Sequence, residues 1–243
     1  MPQFDVPTPE GPVRRGARAE LVQNRAGQAA SVSACDQDGG VEELSEPWCV
    51  ALTLAWEAML AGTTPVGSVV IDGEGLVVTR GRGRRYARDT IAGQLSNSHL
   101  AHAELNALAQ LAPTRRYEDH VVLTTLEPCA LCVGAAVMAT VGRVEYAGAD
   151  PYGGAAHLQL RNPHTARLMP SIVGPAEGAL GTIGALLHYA FYVERDTGGA
   201  VASAYREHMA SFVAEVDGAG LTEQVLRLRS EQRGLVDVMA LFS

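Results

Sequence analysis

Segments with the patterns of helices and strands alternate along the chain between residues 47 and 149. An apolar helix ends before Gly62, two β-branched runs flank a turn at 72–75, and leucines at helical spacing precede Pro113. A strand, a helix and a further strand follow at 120–125, 129–140 and 143–149. Because alternating helices and strands pack in layers, this order predicts an α/β fold with helices on the faces of one sheet.

The composition changes at both ends of this alternating region. Residues 1–46 contain many prolines, arginines and acidic residues but few large apolar ones, so we expect a disordered arm. We place the core at 47–155. A connection rich in proline and glycine opens the remainder, 156–243, which we predict to be a mainly helical C-terminal extension. Its helical candidates are 180–193, 201–216 and 221–241.

The charge of the chain bears on its partners. The 243 residues include 19 Lys and Arg against 27 Asp and Glu, which gives a formal net charge of −8. The strongly basic surface typical of nucleic-acid-binding proteins is therefore not expected. The sequence has neither an apolar run long enough to cross a membrane nor a secretory signal pattern at its start. We expect a cytoplasmic protein that binds neither nucleic acid nor a membrane.

Two of the four cysteines have the spacing of a metal site. Cys129 and Cys132 lie three residues apart at the start of a predicted helix, which places both sulfur atoms on one face of its first turn. Pro128 suits that first turn, and the positive end of the helix dipole favours the thiolates that a metal needs. Cys35 and Cys49 have no partner at metal spacing and are expected to be free thiols.

His102 and Glu104 complete the set of candidate site residues. His102 adds a nitrogen ligand from the start of the preceding helix. Two sulfur atoms and one nitrogen suit Zn²⁺ and leave a fourth tetrahedral position for water, which is the mark of a catalytic zinc site. Glu104 follows the histidine by two residues, where its carboxylate can accept a proton from that water and pass it to a leaving group.

Two other interpretations of the cysteine pair are open. A structural zinc would need a fourth ligand, for which Cys35, Cys49 or His99 is a candidate. A redox-active pair is the other interpretation, but it has no use for the histidine and the glutamate.

The motifs His102-x-Glu104 and Pro128-Cys129-x-x-Cys132 resemble the signature of the zinc-dependent nucleobase and nucleoside deaminases. The resemblance extends to the blocks PVGSVVID, AHAELNAL, TTLEPCALCVGAAV and VGRVEYAGADP. These blocks are similar to the branch that contains guanine deaminases, fungal-type cytosine deaminases and bacterial tRNA adenosine deaminases. The similarity covers the predicted core and leaves both ends of the chain unexplained.

This resemblance implies a three-layer α/β/α fold like that of cytidine deaminases. It also implies a hydrolytic reaction that replaces a ring amine by a carbonyl and releases ammonia. By position, His102, Cys129 and Cys132 would hold one Zn²⁺ per chain, Glu104 would shuttle protons, and the backbone N–H of Ala103 would face the substrate ring. Since the branch commonly forms dimers, a homo-oligomer is also expected.

One departure from the resembled branch concerns the substrate. Gly83 stands where tRNA adenosine and guanine deaminases have an asparagine that contacts the base. The remaining candidates for substrate recognition are Arg82, Arg84, Asn97 and the C-terminal region. We further expect Asp150 and Tyr152, just after the last predicted strand, at the mouth of the pocket. The arginine-rich stretch 80–88 could also clamp a phosphate.

Three hypotheses for the function follow. The first is a zinc hydrolase that acts on a nucleobase, a nucleoside, a nucleotide or a related small amino-heterocycle. The second, an RNA-directed adenosine deaminase, is disfavoured by the net charge of −8 and the absent asparagine. The third is a non-catalytic protein with structural zinc and partner-binding helices, which the presence of Glu104 disfavours. The scattered histidines receive no role: His157, His164, His188 and His208.

Overall fold

A mixed sheet of five strands lies at the centre of the protein. The computed structural model describes residues 44–242. The strands are β1 (Gly67–Ile71), β2 (Val77–Arg82), β3 (Tyr117–Leu126), β4 (Val141–Gly148) and β5 (Ser171–Val173). Their order across the sheet is β2-β1-β3-β4-β5, in which β1 is antiparallel to both of its neighbours and the last three strands are parallel.

The helices of the described residues fall into two groups along the chain. Those interleaved with the strands are α1 (Glu46–Leu60), α2 (Ala103–Leu108), α3 (Ala130–Ala139) and the short α4 (Pro163–Ala166). Those that follow the sheet are α5 (Gly178–Arg195), α6 (Ala200–His208), α7 (Ala210–Gly218), α8 (Leu221–Ser230) and α9 (Leu235–Met239), before a final 3₁₀ turn at Ala240–Phe242.

Neighbouring residues of β1 show how the helices cover both faces of the sheet. Side chains along a strand point alternately to opposite faces. Val69 packs in one buried cluster with Val50 of α1, whereas Val70 packs in another with Ala107 of α2. Helices α1 and α5 therefore cover one face, and α2 and α3 cover the other. The predicted three-layer α/β/α architecture is confirmed.

The helices after the sheet form a further layer on α1 and α5. Tyr205 of α6, Val216 of α7 and Val225 of α8 are fully buried in one cluster with Leu52 of α1 and Ile183 of α5. These helices bury their apolar faces against the core helices because the same apolar side chains would otherwise be exposed to water. The helices beyond the sheet thus share one hydrophobic cluster with α1 and α5, the helices that cover one face of the sheet.

The elements differ from the sequence prediction in three places. The segment 201–216 is not one helix, because Met209 leaves the helical conformation between α6 and α7. The segment 221–241 is also divided, since Gly234 caps a separate short helix, α9. Strand β5 was not predicted. Its three residues pair with β4, so the sheet continues past the predicted core boundary at 155.

Two further expectations concern the N-terminal arm and membrane spanning. The predicted arm, 1–46, lies outside the described residues except for its last three, and the domain boundaries stay predictions. Across 44–242, no helix combines the length and the apolar composition needed to span a bilayer.

Candidate active site

The ends of two helices bring three ligand atoms together. His102 is the N-cap residue of α2, and Cys129 is the N-cap residue of α3. Cys132 lies in the first turn of α3 and is buried. The Sγ atoms of the cysteines are 3.2 Å apart, and the Nδ1 atom of His102 lies 3.5 Å from Cys129 Sγ and 3.4 Å from Cys132 Sγ. The predicted group thus forms a compact triangle.

These three residues fit a zinc ion by the chemistry and spacing of their donor atoms. Tetrahedral zinc lies about 2.3 Å from sulfur, which places two sulfur ligands roughly 3.8 Å apart. The donor atoms all lie within 4.8 Å of one another, and separating the two sulfurs by about half an ångström would admit the ion. One nitrogen and two sulfur ligands leave the fourth position open, as in a catalytic site.

Glu104 lies beside this group and is buried. Its Oε1 accepts a hydrogen bond from the Thr124 hydroxyl of β3 at 3.0 Å, and its Oε2 lies 3.3 Å from Cys132 Sγ. Because α2 begins at Ala103, the carboxylate is in the first turn and points toward the sheet rather than to solvent. A carboxylate in this position can exchange protons with a molecule bound at the metal.

The two thiols of the group differ in their electrostatics, because the hydrogen bond with Cys129 and burial raise the pKa of Cys132 well above its usual value. Hydrogen bonds with Cys132 and then with His102 lower the pKa of the Cys129 thiol to about 4. The hydrogen bond with Cys129 raises the pKa of His102, and burial raises the pKa of Glu104. Cys129 is therefore a thiolate at neutral pH, which is the form that coordinates a metal.

A cavity of about 160 Å³ opens next to the metal group. His102, Glu104 and Cys129 form part of its wall, together with apolar side chains that include Val66 and Leu126. The Glu104 carboxylate and two of the three potential metal ligands therefore line the same cavity, as a site for chemistry on a bound molecule requires.

Three of the predicted substrate-binding residues line this cavity. They are Ala103, Asp150 and Tyr152. Ala103 is the first residue of α2, so its N–H has no acceptor within the helix. Asp150 also has a local role, since its Oδ1 accepts hydrogen bonds from the backbone N–H groups of Tyr152 and Gly153. Tyr152 is mostly exposed at the cavity mouth.

The other three predicted substrate-binding residues do not line the cavity. The guanidinium of Arg84 is fully buried, 3.0 Å from the Asp89 carboxylate, and it also donates to the Asp89 carbonyl. Arg82 lies 3.9 Å from Asp89 and the same distance from Glu57. Asn97 is exposed, and its backbone N–H donates to the carbonyl of Arg84. These residues stabilise the loop after β2.

Gly83 lines the cavity without a side chain of its own. A Cβ atom at this position would overlap the carbonyl oxygen of Thr64, so the backbone of this loop packs too closely for any larger residue. The position where the resembled branch carries an asparagine therefore cannot contribute a base-contacting side chain here.

Sequence reasoning missed several residues of the cavity wall, among them Arg85, His188 and Tyr192. Arg85 lies in the predicted arginine-rich stretch, but the sequence did not distinguish it from its neighbours. His188 and Tyr192 lie on the same face of α5, four residues apart, and the assignment of no role to His188 overlooked this. A polar residue on the buried face of a predicted helix was the signal available.

The candidates for a fourth metal ligand that lie among residues 44–242 do not cluster with the other three ligands. His99 is exposed, with its Nδ1 atom 2.7 Å from Arg85 Nη2. Cys49 is disulfide-bonded, which corrects the expectation of a free thiol at that position. Cys35 lies outside the described residues. Among residues 44–242, the potential metal ligands that cluster are therefore His102 and the two cysteines of α3.

Known proteins similar to this chain include curated relatives of three kinds. Over 108 residues the chain is 40% identical to the tRNA(Ile)-lysidine synthase of Deinococcus radiodurans, which covers 43% of this chain and 17% of that protein. It is 32% identical to the cytosine deaminase of Candida albicans, over 39% of this chain and 59% of that protein. It is also 32% identical to the tRNA-specific adenosine deaminase of Bacillus subtilis, over 43% of this chain and 61% of that protein. The chain thus spans less than two thirds of each of these relatives.

A family model matches the same part of the chain. Its description is the cytidine and deoxycytidylate deaminase zinc-binding region, and the match covers residues 42–148. This range contains the His102, Cys129 and Cys132 triangle and Glu104, so the family's metal is zinc and the group that fits it is the one described above. The zinc-binding region that this model describes thus coincides with the part of the chain that holds the metal group.

Proposed function

We propose that the protein is a zinc-dependent hydrolase that replaces a ring amine of a small amino-heterocycle by a carbonyl and releases ammonia. The observation that carries this proposal is the position of Glu104. Its buried carboxylate lies 3.3 Å from Cys132 Sγ and faces the cavity in which a substrate would lie. A structural zinc site would not need a buried acid that faces a cavity.

The proposed chemistry divides between the metal and the side chains. Zinc held by His102, Cys129 and Cys132 supplies a Lewis acid that makes a water molecule nucleophilic. Glu104 accepts a proton from the water while the water oxygen bonds to the amine-bearing ring carbon. The same carboxyl group protonates the adjacent ring nitrogen and then assists proton transfer to the amine. When the carbon–nitrogen bond breaks, water has supplied the new oxygen and the nitrogen leaves as ammonia.

Two properties of the site support a small substrate rather than RNA. An apolar cavity of roughly 150 Å³ accommodates a benzene ring, so the cavity of about 160 Å³ suits a single heterocycle. His188, Tyr192 and Val201 from the helices beyond the sheet form one of its walls, which restricts access from that side. The net charge of −8 also disfavours a polyanionic partner.

Ammonia release from a defined panel of compounds tests the proposal. The zinc-loaded protein is incubated with aminopurines and aminopyrimidines as free bases, nucleosides and monophosphates, and with unmodified tRNA. We expect turnover of at least one small compound. Release of ammonia from adenosine within tRNA, with none from the small compounds, would instead establish the RNA-directed alternative.

The monophosphate arm of the panel tests the cationic part of the cavity wall. Arg85 lines the cavity, and its buried Nε atom has no hydrogen-bond partner. If Arg85 binds a phosphate, the preference for monophosphates over nucleosides in kcat/KM should fall about tenfold in the Arg85→Gln variant. Arg143→Gln, at a partly exposed ion pair with Glu145 that does not line the cavity, is the matched control and should leave that preference unchanged.

Two expectations about the whole protein stay predictions. The homodimer implied by the resemblance is checked by analytical ultracentrifugation of the zinc-loaded chain. The cytoplasmic location is checked by fractionation of cells that produce the full-length chain.

A further inference from the structure

His188 is a buried histidine of α5 that lies in the cavity wall but belongs to neither the metal group nor the catalytic acid. Only 5% of its surface is exposed. Its Nδ1 atom lies 3.1 Å from the hydroxyl oxygen of Tyr205, and its ring packs edge-on against Tyr192 at a centroid distance of 5.0 Å. The contacts with Tyr205 and Tyr192 therefore hold the ring in one orientation.

The hydrogen bonds of Tyr205 fix the tautomer of this histidine. The Tyr205 hydroxyl lies 3.2 Å from the carbonyl oxygen of Ala149, which can only accept. The hydroxyl has a single proton, so both contacts are satisfied only when it donates to Ala149 and accepts from Nδ1–H of His188. Nε2 of a neutral ring is then the unprotonated nitrogen.

Nε2 has no hydrogen-bond partner among the described residues. Burial lowers the pKa of His188, against a smaller opposing effect of the Asp150 carboxylate, so the ring is neutral at pH 7. An acceptor atom in a cavity wall that has no partner within the protein is satisfied when a bound molecule or water supplies a donor. The cavity that His188 lines is the place from which such a donor can come.

We infer that His188 is a specificity-determining residue whose Nε2 accepts a hydrogen bond from an N–H group of the substrate, and that Tyr205 positions it. The inference rests on the proposed function and narrows its substrate class. The preferred substrate is an amino-heterocycle that carries a second N–H donor, in addition to the amine that leaves.

This assignment explains where substrate recognition lies in this chain. Gly83 cannot carry a side chain, and Arg82, Arg84 and Asn97 do not line the cavity. His188 belongs to α5, beyond the residues 42–148 that match the family. The C-terminal extension, rather than the loop after β2, thus supplies the group that distinguishes one heterocycle from another.

Matched substrate pairs that differ by one N–H group test the inference. One set of pairs consists of 6-aminopurines and 4-aminopyrimidines with and without a 2-amino group. A second set compares each ring that has an N–H group with the same ring methylated at that nitrogen. We expect the wild-type protein to prefer the N–H member of at least one pair in kcat/KM. In His188→Phe, which keeps an aromatic ring, that preference falls by about 10- to 100-fold.

Three further variants separate recognition from structure. His188→Gln, whose amide oxygen can accept, should restore part of the preference, and Tyr205→Phe should lower it because the histidine tautomer is no longer fixed. His208→Phe is the matched control, since His208 is exposed on α6 and should leave the preference unchanged. Zinc content and thermal midpoint are measured for all variants.

Binding measurements in a catalytically inactive variant distinguish failure of this inference from failure of the proposed reaction. Dissociation constants for the same pairs are measured by calorimetry in zinc-loaded Glu104→Gln protein, with and without His188→Phe. If no compound is deaminated but His188→Phe still weakens binding of the N–H member, the reaction is wrong and the inference holds. If compounds are deaminated or bound with preferences that His188→Phe does not change, or if no pair is bound, the inference is overturned.

Discussion

The hydroxyl of Thr124 donates a hydrogen bond of 3.0 Å to Oε1 of Glu104, and both side chains are buried. Thr124 lies on the central strand β3, whereas Glu104 lies in the first turn of α2. This bond joins the catalytic candidate to the central strand of the sheet. It leaves Oε2 free to face the metal group, near Cys132.

Removing the hydroxyl of Thr124 should impair the reaction without affecting the metal. In Thr124→Val the shape of the side chain is kept but Glu104 loses its donor, and we expect kcat to fall about tenfold. Zinc content, measured by mass spectrometry, should stay at one ion per chain. Thr124→Ser, which keeps the hydroxyl, is the control. Equal kcat values for the two variants would contradict the positioning role.

Neutralising Glu104 should separate catalysis from metal binding. Glu104→Gln keeps the size of the side chain but cannot carry the proton, so we expect kcat to fall by about 10²- to 10⁴-fold. Bound zinc should be retained, because the three potential ligand atoms belong to His102, Cys129 and Cys132. Loss of zinc together with activity would instead indicate that the carboxylate stabilises the metal site.

Removing one ligand should couple zinc loss to loss of stability. Cys132→Ala takes away the buried sulfur at the start of α3, so we expect zinc content well below one ion per chain at micromolar free zinc. A ligand that binds the folded state at 100 times its Kd contributes about 2.7 kcal/mol. A chelator should therefore lower the thermal midpoint of the wild-type protein by several degrees and leave that of the variant almost unchanged. An equal shift in both proteins would contradict zinc binding at this group.

Two glycine substitutions should have opposite effects on the free energy of unfolding. A Cβ atom at Gly67 would overlap the carbonyl oxygen of Ala51, because α1 packs directly on β1 there. We expect Gly67→Ala to destabilise the protein by about 1–3 kcal/mol. Gly134 lies inside α3 with open space around it, so Gly134→Ala should stabilise by about 0.5–1 kcal/mol.

Urea unfolding of both variants at equal zinc loading measures these changes. Stabilisation by Gly67→Ala would mean that α1 and β1 are not in close contact. Gly134→Ala serves as the control for the substitution itself, since it adds the same methyl group where nothing opposes it.

The sequence alone determined the α/β order and the residues of the metal group. His102 and Glu104 lie within one short segment, and Cys129 and Cys132 within one helical turn, so their spacing is a local property that a sequence pattern contains. The order of apolar helices and strands is likewise local, and it correctly indicated a sheet covered on both faces.

Only the tertiary structure decided which other residues meet at the cavity. Nothing in the sequence distinguishes the three arginines at 82, 84 and 85 from one another. Only Arg85 among them lines the cavity, because the other two are directed toward Asp89. His188 reaches the site only because α5 packs across the sheet. Such contacts depend on long-range packing of apolar surfaces, which fixes where distant segments meet and has no local pattern in the chain.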